Sequence, residues 1–338
     1  MMHIRTDYPL EKHHTFGLKV KARQFMEVST VQEVQALNHL DLSEVLILGE
    51  GSNILFTKDF GGLVVKNNIR GKEVLLESNQ EVILRIGGGE NWNELVEWTV
   101  KNEWGGLENL IAIPGSVGAA PVQNIGAYGV SIADVTVQVE GIYMDSGEQQ
   151  IFEAEKCGFC YRSSIFKTSL KGKFFITHLV IRLIPAKAHL VKVAYPALQK
   201  YLQSNVLPTS IESIAESVRA IRESKLPNPK KVGNAGSFFK NPVITAEKLV
   251  TLKSEFAEIP SYEEGLGRYK IPAAWLIEKA GWKGRKIGNV GTHQNQPLVL
   301  IALSPQAKGR EVEELSKQIQ RTVKDRFDVD LEPEVNIL

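Results

Sequence analysis

The sequence predicts an α+β protein built from two or three domains. Its 338 residues exceed the length of an ordinary single domain. Hydrophobic residues make up 43% of the chain and charged residues 23%, which is the balance of a folded globular protein rather than a disordered or fibrous one. Short runs of Val, Ile and Leu alternate with segments of helical period, so strands and helices are mixed along the chain.

The first third of the chain predicts strands followed by one helix. Residues 91–100 have helical spacing, with Leu95, Val96 and Thr99 on one face. Asn91 is the expected N-cap, with Glu94 three residues later as in a capping box. The preceding apolar runs have the length of strands and are bounded by turn residues. These predicted strands are residues 45–48, 62–65, 73–76 and 82–86.

Residues 105–129 form a long loop that we expect to be functional. The stretch contains six glycines, shows little amphipathic period and carries one charged side chain, Glu108. Long loops without a period are uncommon inside compact domains and are usually binding or catalytic loops. Strand-like runs follow at residues 135–139, 142–144 and 174–183.

The last third of the chain again mixes helices and strands. Residues 211–225 predict an amphipathic helix, which Pro227 and Pro229 prevent from continuing. This proline-rich turn is the expected domain boundary. Beyond it, the sequence predicts helices over residues 273–280 and 310–326 and strands over residues 297–303 and 330–336.

Composition and charge argue against several classes of function. The chain has 40 Lys and Arg against 39 Asp and Glu and no long basic stripe, so no nucleic-acid partner is expected. The longest apolar run near the end, residues 297–303, is far shorter than the roughly 20 residues that span a bilayer, so no membrane insertion is expected. The N-terminus lacks the apolar core of a signal peptide, which favours a cytoplasmic protein.

The two cysteines, Cys157 and Cys160, stand together as a C-x-x-C pair. Such a pair can be a redox dithiol or half of a zinc site. A second pair is missing from the sequence, and the run continues into Tyr161-Arg162 rather than into a thioredoxin-like helix. We therefore predict two reduced structural thiols and no metal site.

The first glycine-rich turn, Gly49-Glu50-Gly51-Ser52-Asn53, follows the predicted strand 45–48. Glycines let backbone N–H groups approach a phosphate closely, and the Ser and Asn side chains add donors. The turn lacks the third glycine of the Rossmann fingerprint and the lysine of a P-loop. Taken alone, it fits either phosphate binding or a structural tight turn.

Two further glycine-rich segments, residues 86–91 and 113–129, lie in the same half of the chain. The second removes nearly every bulky or charged side chain, so its donors would be backbone N–H groups together with Ser116, Gln123 and Asn124. Such a surface suits a large planar ligand with a diphosphate that needs close backbone approach. Several loops of this kind in one half favour a dinucleotide.

Six motifs occur in order within residues 14–336. They are LGEGSN at 48–53, IPGSVG at 113–118, QNIGAYG at 123–129, YRSSIF at 161–166, GNAGSFFKNP at 233–242 and LEPEV at 331–335. Together they resemble the family of UDP-N-acetylenolpyruvoylglucosamine reductases, in the form that carries a tyrosine loop. The resemblance implies a flavoenzyme of cell-wall (peptidoglycan) precursor synthesis that binds FAD non-covalently.

The resemblance also implies a domain plan and a set of cofactor-binding residues. The plan is a two-part FAD-binding region of the vanillyl-alcohol-oxidase type, with subdomains at residues 1–66 and 67–226, followed by a smaller α+β substrate-binding domain at residues 227–338. The implied cofactor-binding residues are Gly49, Glu50, Gly51, Ser52, Asn53, Pro114, Gly115, Ser116, Gly118, Asn124, Gly126, Ala127 and Tyr128.

By this resemblance, the reaction reduces the enolpyruvyl ether of UDP-N-acetylglucosamine to UDP-N-acetylmuramate, with NADPH as the co-substrate that supplies electrons. Negative charge develops beside the substrate carboxylate, so the chemistry needs a fixed cation and a proton donor there. The resemblance assigns Arg162 as the cation, Ser237 as the proton donor and Glu334 as a partner of the developing enol. Judged on sequence context alone, each would be an ordinary surface or turn residue.

Four residues resemble those that bind the UDP-sugar: Tyr161, Tyr195, Lys225 and Asn241. Lys225 also stands at the end of a predicted helix, where it would complement the helix dipole, and both roles are compatible. Tyr195 could equally be a core aromatic. We expect the protein to act as a monomer.

Three positions depart from the family pattern. Ser163 stands where relatives often have an acidic residue, Cys160 where glycine is common, and Asn336 where some relatives have a basic residue. These departures bear on the charge around the site rather than on Arg162 or Glu334.

Two other functions remain open at this point. One is a different flavin-dependent oxidase or dehydrogenase with the same type of FAD domain. Many such oxidases attach FAD through a His or Cys, and the lack of histidine between His39 and His178 argues against that attachment. The other is a nucleotide-binding regulator without turnover, which would bind its ligand but show no bleaching of a flavin by NADPH.

Overall fold

The computed structural model describes residues 3–338, and it confirms the predicted α+β class. Its strands are, in chain order, β1 Arg5–Pro9, β2 Lys21–Val28, β3 Val45–Leu48, β4 Ile54–Leu55, β5 Phe60–Asn67, β6 Lys72–Glu77, β7 Val82–Gly87, β8 Trp104–Gly105, β9 Gly126–Ala127, β10 Val130–Ser131, β11 Thr136–Tyr143, β12 Gln149–Glu153, β13 Phe174–Pro185, β14 Asn234–Ser237, β15 Val243–Thr245, β16 Tyr262–Glu263, β17 Arg268–Lys270, β18 Lys286–Ile287, β19 Val290–Thr292, β20 Val299–Ala302 and β21 Asn336–Ile337.

The α-helices are α1 Val31–Gln35, α2 Trp92–Lys101, α3 Pro196–Ser204, α4 Ile211–Lys225, α5 Ala246–Glu255, α6 Ala273–Lys279 and α7 Gly309–Phe327. Short 3₁₀ turns lie at Ala36–His39, Glu108–Leu110, Val117–Ala119, Ile132–Asp134 and Ala154–Cys157. The predicted N-cap of α2 is confirmed, because the Asn91 side chain accepts a hydrogen bond from the Glu94 amide.

The chain divides into two compact units. The first comprises residues up to Tyr8, Ala22–Glu50 and Gly61–Ser224, and the second comprises Pro9–Lys21, Gly51–Phe60 and Lys225–Leu338. Two N-terminal segments thus belong with the C-terminal third of the chain. The predicted three-part division at residues 66 and 226 stays a prediction.

The first unit is built around β13, the longest strand. Its residues are almost all buried, and it pairs antiparallel with β11, β7 and β8 in a sheet that runs β12-β11-β13-β7-β6. Helices α2, α3 and α4 contribute their apolar faces to the same core, for example through Leu95, Leu198 and Ile214. A second sheet, β1-β2-β5-β3, encloses a smaller core of its own.

The second unit packs α5, α6 and α7 with a sheet of order β14-β20-β19-β18. Its core also contains Phe16, Leu18 and Leu55 from the N-terminal segments. The C-terminal strand β21 pairs in parallel with β4, whose Ile54 and Leu55 follow the first glycine-rich turn. The fold of this unit therefore brings the chain's end beside that turn.

The four helix predictions are confirmed within one residue at each end, and six strand predictions overlap observed strands. The predicted helices at 91–100, 211–225, 273–280 and 310–326 are α2, α4, α6 and α7. The predicted strands at 45–48, 62–65, 73–76, 82–86, 174–183 and 297–303 coincide with or lie along β3, β5, β6, β7, β13 and β20.

Three strand predictions need correction. Residues 135–139 and 142–144 are not two strands, because β11 continues through Gly141 with a register shift between Glu140 and Gly141. The predicted strand at 330–336 is wrong over most of its length. Within residues 330–336, Pro333 forms an isolated bridge with Phe239, which lies outside the strands. Only Asn336 belongs to a strand, β21.

Each helix among residues 3–338 is too short or too polar to cross a bilayer.

Candidate active site

The first glycine-rich turn and the loop after residue 113 lie against each other in the first unit. A Cβ atom added to Gly49 would clash with the Ser116 hydroxyl and lie 3.3 Å from the Ser116 Cβ. Ser116 is buried and precedes the 3₁₀ turn Val117–Ala119, so it cannot easily withdraw. Gly49 therefore lies at a close contact between two predicted cofactor-binding loops.

Buried N–H groups at this junction fit a phosphate ligand. Gly115 and Ser116 are both buried, and their backbone N–H groups donate to no acceptor among residues 3–338. The next two N–H groups are used within the protein, because Val117 donates to the Glu90 carbonyl and Gly118 to the Gly88 carbonyl, at 2.9 and 2.8 Å. Buried N–H groups are seldom left unpaired in folded proteins, and two in sequence suit an anionic oxygen. The donors present thus match the diphosphate of a dinucleotide.

In the second unit, Gly51 and Asn53 continue the same turn. The buried Gly51 accepts a hydrogen bond from the Thr15 amide at 3.1 Å through its carbonyl oxygen. The Asn53 side chain donates to the Glu334 carbonyl at 3.2 Å, and the Asn336 amide donates to the Asn53 carbonyl at 3.0 Å. Asn336 therefore has a structural partner in the turn, where its side chain also donates to Asn53 at 3.1 Å.

Arg162 lies at the tip of a tight turn in the first unit. The turn is closed by paired hydrogen bonds between Cys160 and Ser163, with N···O distances of 3.1 and 3.2 Å. Arg162 has a φ of +54°, which is unusual for a residue with a side chain. Its guanidinium Nη2 donates to the Gly126 carbonyl at 2.8 Å. The predicted catalytic cation is thus directly bonded to a predicted cofactor loop.

Two more hydrogen bonds fasten the same turn to that loop. The buried Asn124 side chain donates to the Cys160 carbonyl at 3.1 Å, and the Ser164 hydroxyl donates to the Val122 carbonyl at 2.6 Å. Asn124 itself has a φ of +46° and accepts from the Ala133 amide at 3.2 Å. Residues 160–164 and 122–126 therefore form one hydrogen-bonded assembly.

The C-x-x-C pair has a structural rather than a redox environment. Both thiols are free, with Cys157 buried and Cys160 exposed. Burial is the main cause that raises the pKa of Cys157 to about 12, with Glu155 and Glu153 adding to it. A thiol with so high a pKa is a poor nucleophile at neutral pH, so the pair does not form a reactive dithiol.

Tyr128 and Tyr195 lie together in the first unit. Their rings meet edge to face with centroids 5.0 Å apart, and Tyr128 has a φ of +50°. Burial is the largest cause that raises the pKa of Tyr128, so the phenol remains protonated at neutral pH. Tyr195, at the start of α3, is 46% exposed and is therefore not the core aromatic that its sequence context also allowed.

Ser237 and Glu334 lie on neighbouring backbones in the second unit. Ser237 ends β14 beside Val299 of β20, where a register shift marks a β-bulge. Such bulges commonly redirect a side chain next to an active site. The Glu334 amide donates to the carbonyl of Phe238, the residue after Ser237, at 2.8 Å. The fold therefore brings the predicted proton donor and the predicted carboxylate together.

The remaining predicted residues of the second unit differ in their surroundings. Lys225 is the last, exposed residue of α4. Asn241 accepts from the Ala273 amide at 2.9 Å through Oδ1, which leaves its NH₂ group without an acceptor among residues 3–338. Glu332 pairs with Lys240 at 2.5 Å, so it has a structural partner on the surface of the second unit.

Sequence reasoning missed the residues that support these loops. Glu108, 2% exposed, pairs with His189 at 2.6 Å, and the next residue, Asn109, bonds two separate carbonyls. Arg222 of α4 donates to the Ala112 carbonyl at 3.2 Å. Burial lowers its pKa, and its nearby charges include Arg162. The available signal was Glu108 itself, because a lone charge in a glycine-rich loop needs a partner when the loop is buried.

Comparison with known proteins identifies the parts of the chain. Residues 228–338 match the family model for the C-terminal domain of UDP-N-acetylenolpyruvoylglucosamine reductase. Residues 22–152 match the model of an FAD-binding domain, and this range includes the unpaired N–H groups of Gly115 and Ser116. The prediction that the chain binds FAD is therefore confirmed, and the donors at this loop junction fit the cofactor.

Relatives match along the whole chain. A UDP-N-acetylenolpyruvoylglucosamine reductase of Flavobacterium johnsoniae is 40% identical over 339 residues, and one of Amoebophilus asiaticus is 44% identical over 341, each alignment covering all of both chains. The crystal structure of the Thermus caldophilus enzyme of the same name shares the fold, with a TM-score of 0.68 at 21% identity over all of this chain and 99% of that one. Because relatives of that name are 40% and 44% identical to it over its full length, this chain belongs to the UDP-N-acetylenolpyruvoylglucosamine reductase family.

Proposed function

We propose that this chain reduces the enolpyruvyl ether of UDP-N-acetylglucosamine to the lactyl ether of UDP-N-acetylmuramate, with NADPH as electron donor. The reaction adds a hydride and a proton across one carbon–carbon double bond. FAD, when bound, would supply the hydride-transfer chemistry that links NADPH to the substrate double bond. The observation that carries the proposal is the hydrogen bond from Arg162 to Gly126, which fixes the required cation to a loop of the FAD-binding domain.

Arg162 would neutralise the charge that develops on the substrate carboxylate. A guanidinium stays charged at any pH the enzyme meets and can contact a carboxylate at two points. Its Nη2 is already committed to the Gly126 carbonyl, and the Tyr161 ring lies 5.5 Å from the guanidinium carbon. These contacts pre-orient the cation, so little reorganisation is needed as the transition state forms.

Ser237 would deliver the proton to the carbon next to the carboxylate. A hydroxyl is a weak acid, so it can serve only where the acceptor is strongly basic, as a carbanion or enolate is. Glu334, whose backbone is bonded to the residue after Ser237, would hydrogen-bond the developing enol. Both side chains are half-buried, which limits the access of water.

Four residues would hold the UDP-sugar. Lys225 supplies an exposed positive charge for a phosphate, and Asn241 has an uncommitted NH₂ group for a phosphate or ribose oxygen. Tyr161 and Tyr195 are each 46% exposed, so a ligand can reach both side chains. In this function the protein acts as a cytoplasmic monomer. Gel filtration with light scattering would measure its molar mass and so test the monomeric state.

An anaerobic two-step experiment tests the function. NADPH should bleach the 450 nm absorption of the bound flavin, and addition of the enolpyruvyl sugar nucleotide should restore it. Other flavin oxidases of this domain type would not regain colour with that substrate, and a regulator would not bleach. A protein that bleaches but is not reoxidised by the enolpyruvyl substrate would overturn the proposal.

The Ser237→Ala variant tests the proton donor. Bleaching by NADPH should be unchanged, but reoxidation by substrate should slow by about 10²–10⁴-fold, as for a lost general acid. Ser254→Ala is the matched control, because Ser254 is an exposed serine on α5 whose hydroxyl bonds only the Thr251 carbonyl. Equal reoxidation rates in the two variants, measured by stopped flow, would exclude Ser237 as the donor.

A further inference from the structure

One short turn in the first unit fastens the segment that leads to Tyr195. Glu108 and Asn109 are adjacent in the 3₁₀ turn Glu108–Leu110 and are 2% and 1% exposed. Glu108 bonds the His189 ring at 2.6 Å, and Asn109 bonds the Lys192 carbonyl at 2.9 Å. The chain is therefore fixed at two points shortly before Tyr195.

Asn109 uses its amide only as a donor. Its Nδ2 donates to the Lys192 carbonyl and, at 3.0 Å, to the Tyr128 carbonyl. Its Oδ1 is buried and has no partner among residues 3–338. Burying an unpaired acceptor is unfavourable, so the amide is explained by the two carbonyls that it must satisfy.

The two carbonyls belong to segments that present tyrosine rings to each other. Tyr128 has a φ of +50° and packs edge to face against Tyr195 with ring centroids 5.0 Å apart. Lys192, three residues before Tyr195, also pairs its ammonium group with Asp134 at 2.9 Å. On the far side of Tyr195, helix α3 is held in the core by the buried Leu198. Tyr195 is thus confined from both sides.

We propose that Asn109 is a positioning residue for substrate binding, because it sets the distance between Tyr128 and the segment that carries Tyr195. This inference rests on the proposed function, in which Tyr195 helps to hold the UDP-sugar. Without the bridge, the 189–195 segment keeps its attachments through His189 and through the Lys192–Asp134 ion pair, but its backbone is no longer bonded to Asn109. The expected consequence is weaker binding of the UDP-sugar rather than slower chemistry.

The test uses Asn109→Asp, which keeps the shape of the side chain but replaces the NH₂ donor with a carboxylate oxygen facing two carbonyls. Binding of UDP by calorimetry and KM for the enolpyruvyl substrate should both weaken by about 10–30-fold, as for one or two lost hydrogen bonds, while kcat changes less than about threefold. FAD should remain bound. Ile142→Val, a fully buried change in the smaller core of the first unit, is the control for general loss of stability and should leave UDP binding unchanged.

A double-mutant cycle with Tyr195→Ala separates positioning from a purely structural role. If Asn109 acts through Tyr195, adding Asn109→Asp to Tyr195→Ala should weaken UDP binding by no more than about twofold. A full additional loss in that background, or no loss in the wild-type background, would overturn the inference. If Asn109→Asp does not fold, Asn109→Ser, which retains one donor, is compared in the same cycle.

The outcome is separable from that of the proposed function. UDP binding is measured without turnover, so the expected cycle would support the positioning role even if the wild-type protein failed to reduce the enolpyruvyl substrate. That failure would refute the proposed function alone. Conversely, an active enzyme whose cycle is additive would keep the function and refute the role of Asn109.

Discussion

Replacing Gly51 with alanine tests whether the 49–53 turn depends on close backbone approach. Gly51 has a φ of +64°, and a Cβ built there would clash with the His13 carbonyl oxygen and lie 2.6 Å from the His14 Cα. These are backbone atoms, which cannot rotate away. Gly17 is a matched control, because its φ is also +64° but an added Cβ would meet nothing within 4 Å.

The two variants should differ by the cost of the clash. The left-handed conformation costs an alanine about 1–2 kcal/mol at either position. At Gly51 the backbones must also move apart, and overpacking of this kind costs about 1–3 kcal/mol more. We therefore expect Gly51→Ala to lower the free energy of unfolding by about 2–5 kcal/mol and Gly17→Ala by about 1–2 kcal/mol.

The same displacement should weaken FAD binding. The buried N–H of Gly51 has no acceptor among residues 3–338, so we expect it to donate to the cofactor. Hydrogen bonds to charged groups are worth about 1.5–3 kcal/mol, so losing one should raise the Kd for FAD by about 10–100-fold. Urea unfolding and fluorescence titration of FAD into the apoprotein measure the two effects. If Gly51→Ala matched Gly17→Ala in both, close approach at Gly51 would not matter.

Two smaller perturbations probe buried groups of the first unit. Burial alone would raise the pKa of Glu108, but hydrogen bonds from His189 and the Gly106 amide outweigh it and lower the pKa. The pair therefore stabilises the fold above the ordinary carboxyl pKa, and this contribution is lost as the pH falls through the lowered value. Glu108→Gln should lower the free energy of unfolding by about 1–3 kcal/mol at pH 7 and by less in acid. Urea titrations at neutral and acidic pH measure this difference, and an equal loss of stability under the two conditions would contradict it. For the thiols, iodoacetamide at about pH 8 should label the exposed Cys160 and not Cys157, whose pKa is about 12. The folded Cys160→Ser variant should therefore take up no label, as measured by mass spectrometry. Any uptake by that variant would contradict the environment assigned to Cys157.

Elements with a strong period or firm boundaries were predictable from sequence. Helix α4 spans Ile211–Lys225 as predicted, because its apolar face is regular and two prolines end it. Helices α3 and α5 went unpredicted, since each buries only two side chains, such as Leu249 and Leu252 of α5. The strand predicted at 330–336 failed because an apolar run shows strand propensity but not which partner, if any, offers a regular edge.

The candidate site divides in the same way. Residues in contiguous motifs, such as Arg162 and Ser237, could be assigned proposed roles because a motif is read locally. The supporting residues were not, because Glu108 and His189 are 81 positions apart and Asn109 and Lys192 are 83 apart. Pairings at such distances leave no periodic trace in a single sequence. Glu108, the only charge in its loop, was the one local sign that a buried partner existed.

Backbone strain joins these observations. Asn124, Tyr128 and Arg162 all have φ values between +46° and +54°, and all three carry proposed roles in binding or catalysis. Each such conformation costs a residue with a side chain about 1–3 kcal/mol and persists only where its surroundings impose it. Here the surroundings are specific hydrogen bonds: Asn124 to Cys160 and Ala133, Asn109 to the Tyr128 carbonyl, and the Cys160–Ser163 pairing around Arg162. We therefore expect these bonds to matter to the proposed site, because they hold the three backbones in their strained conformation.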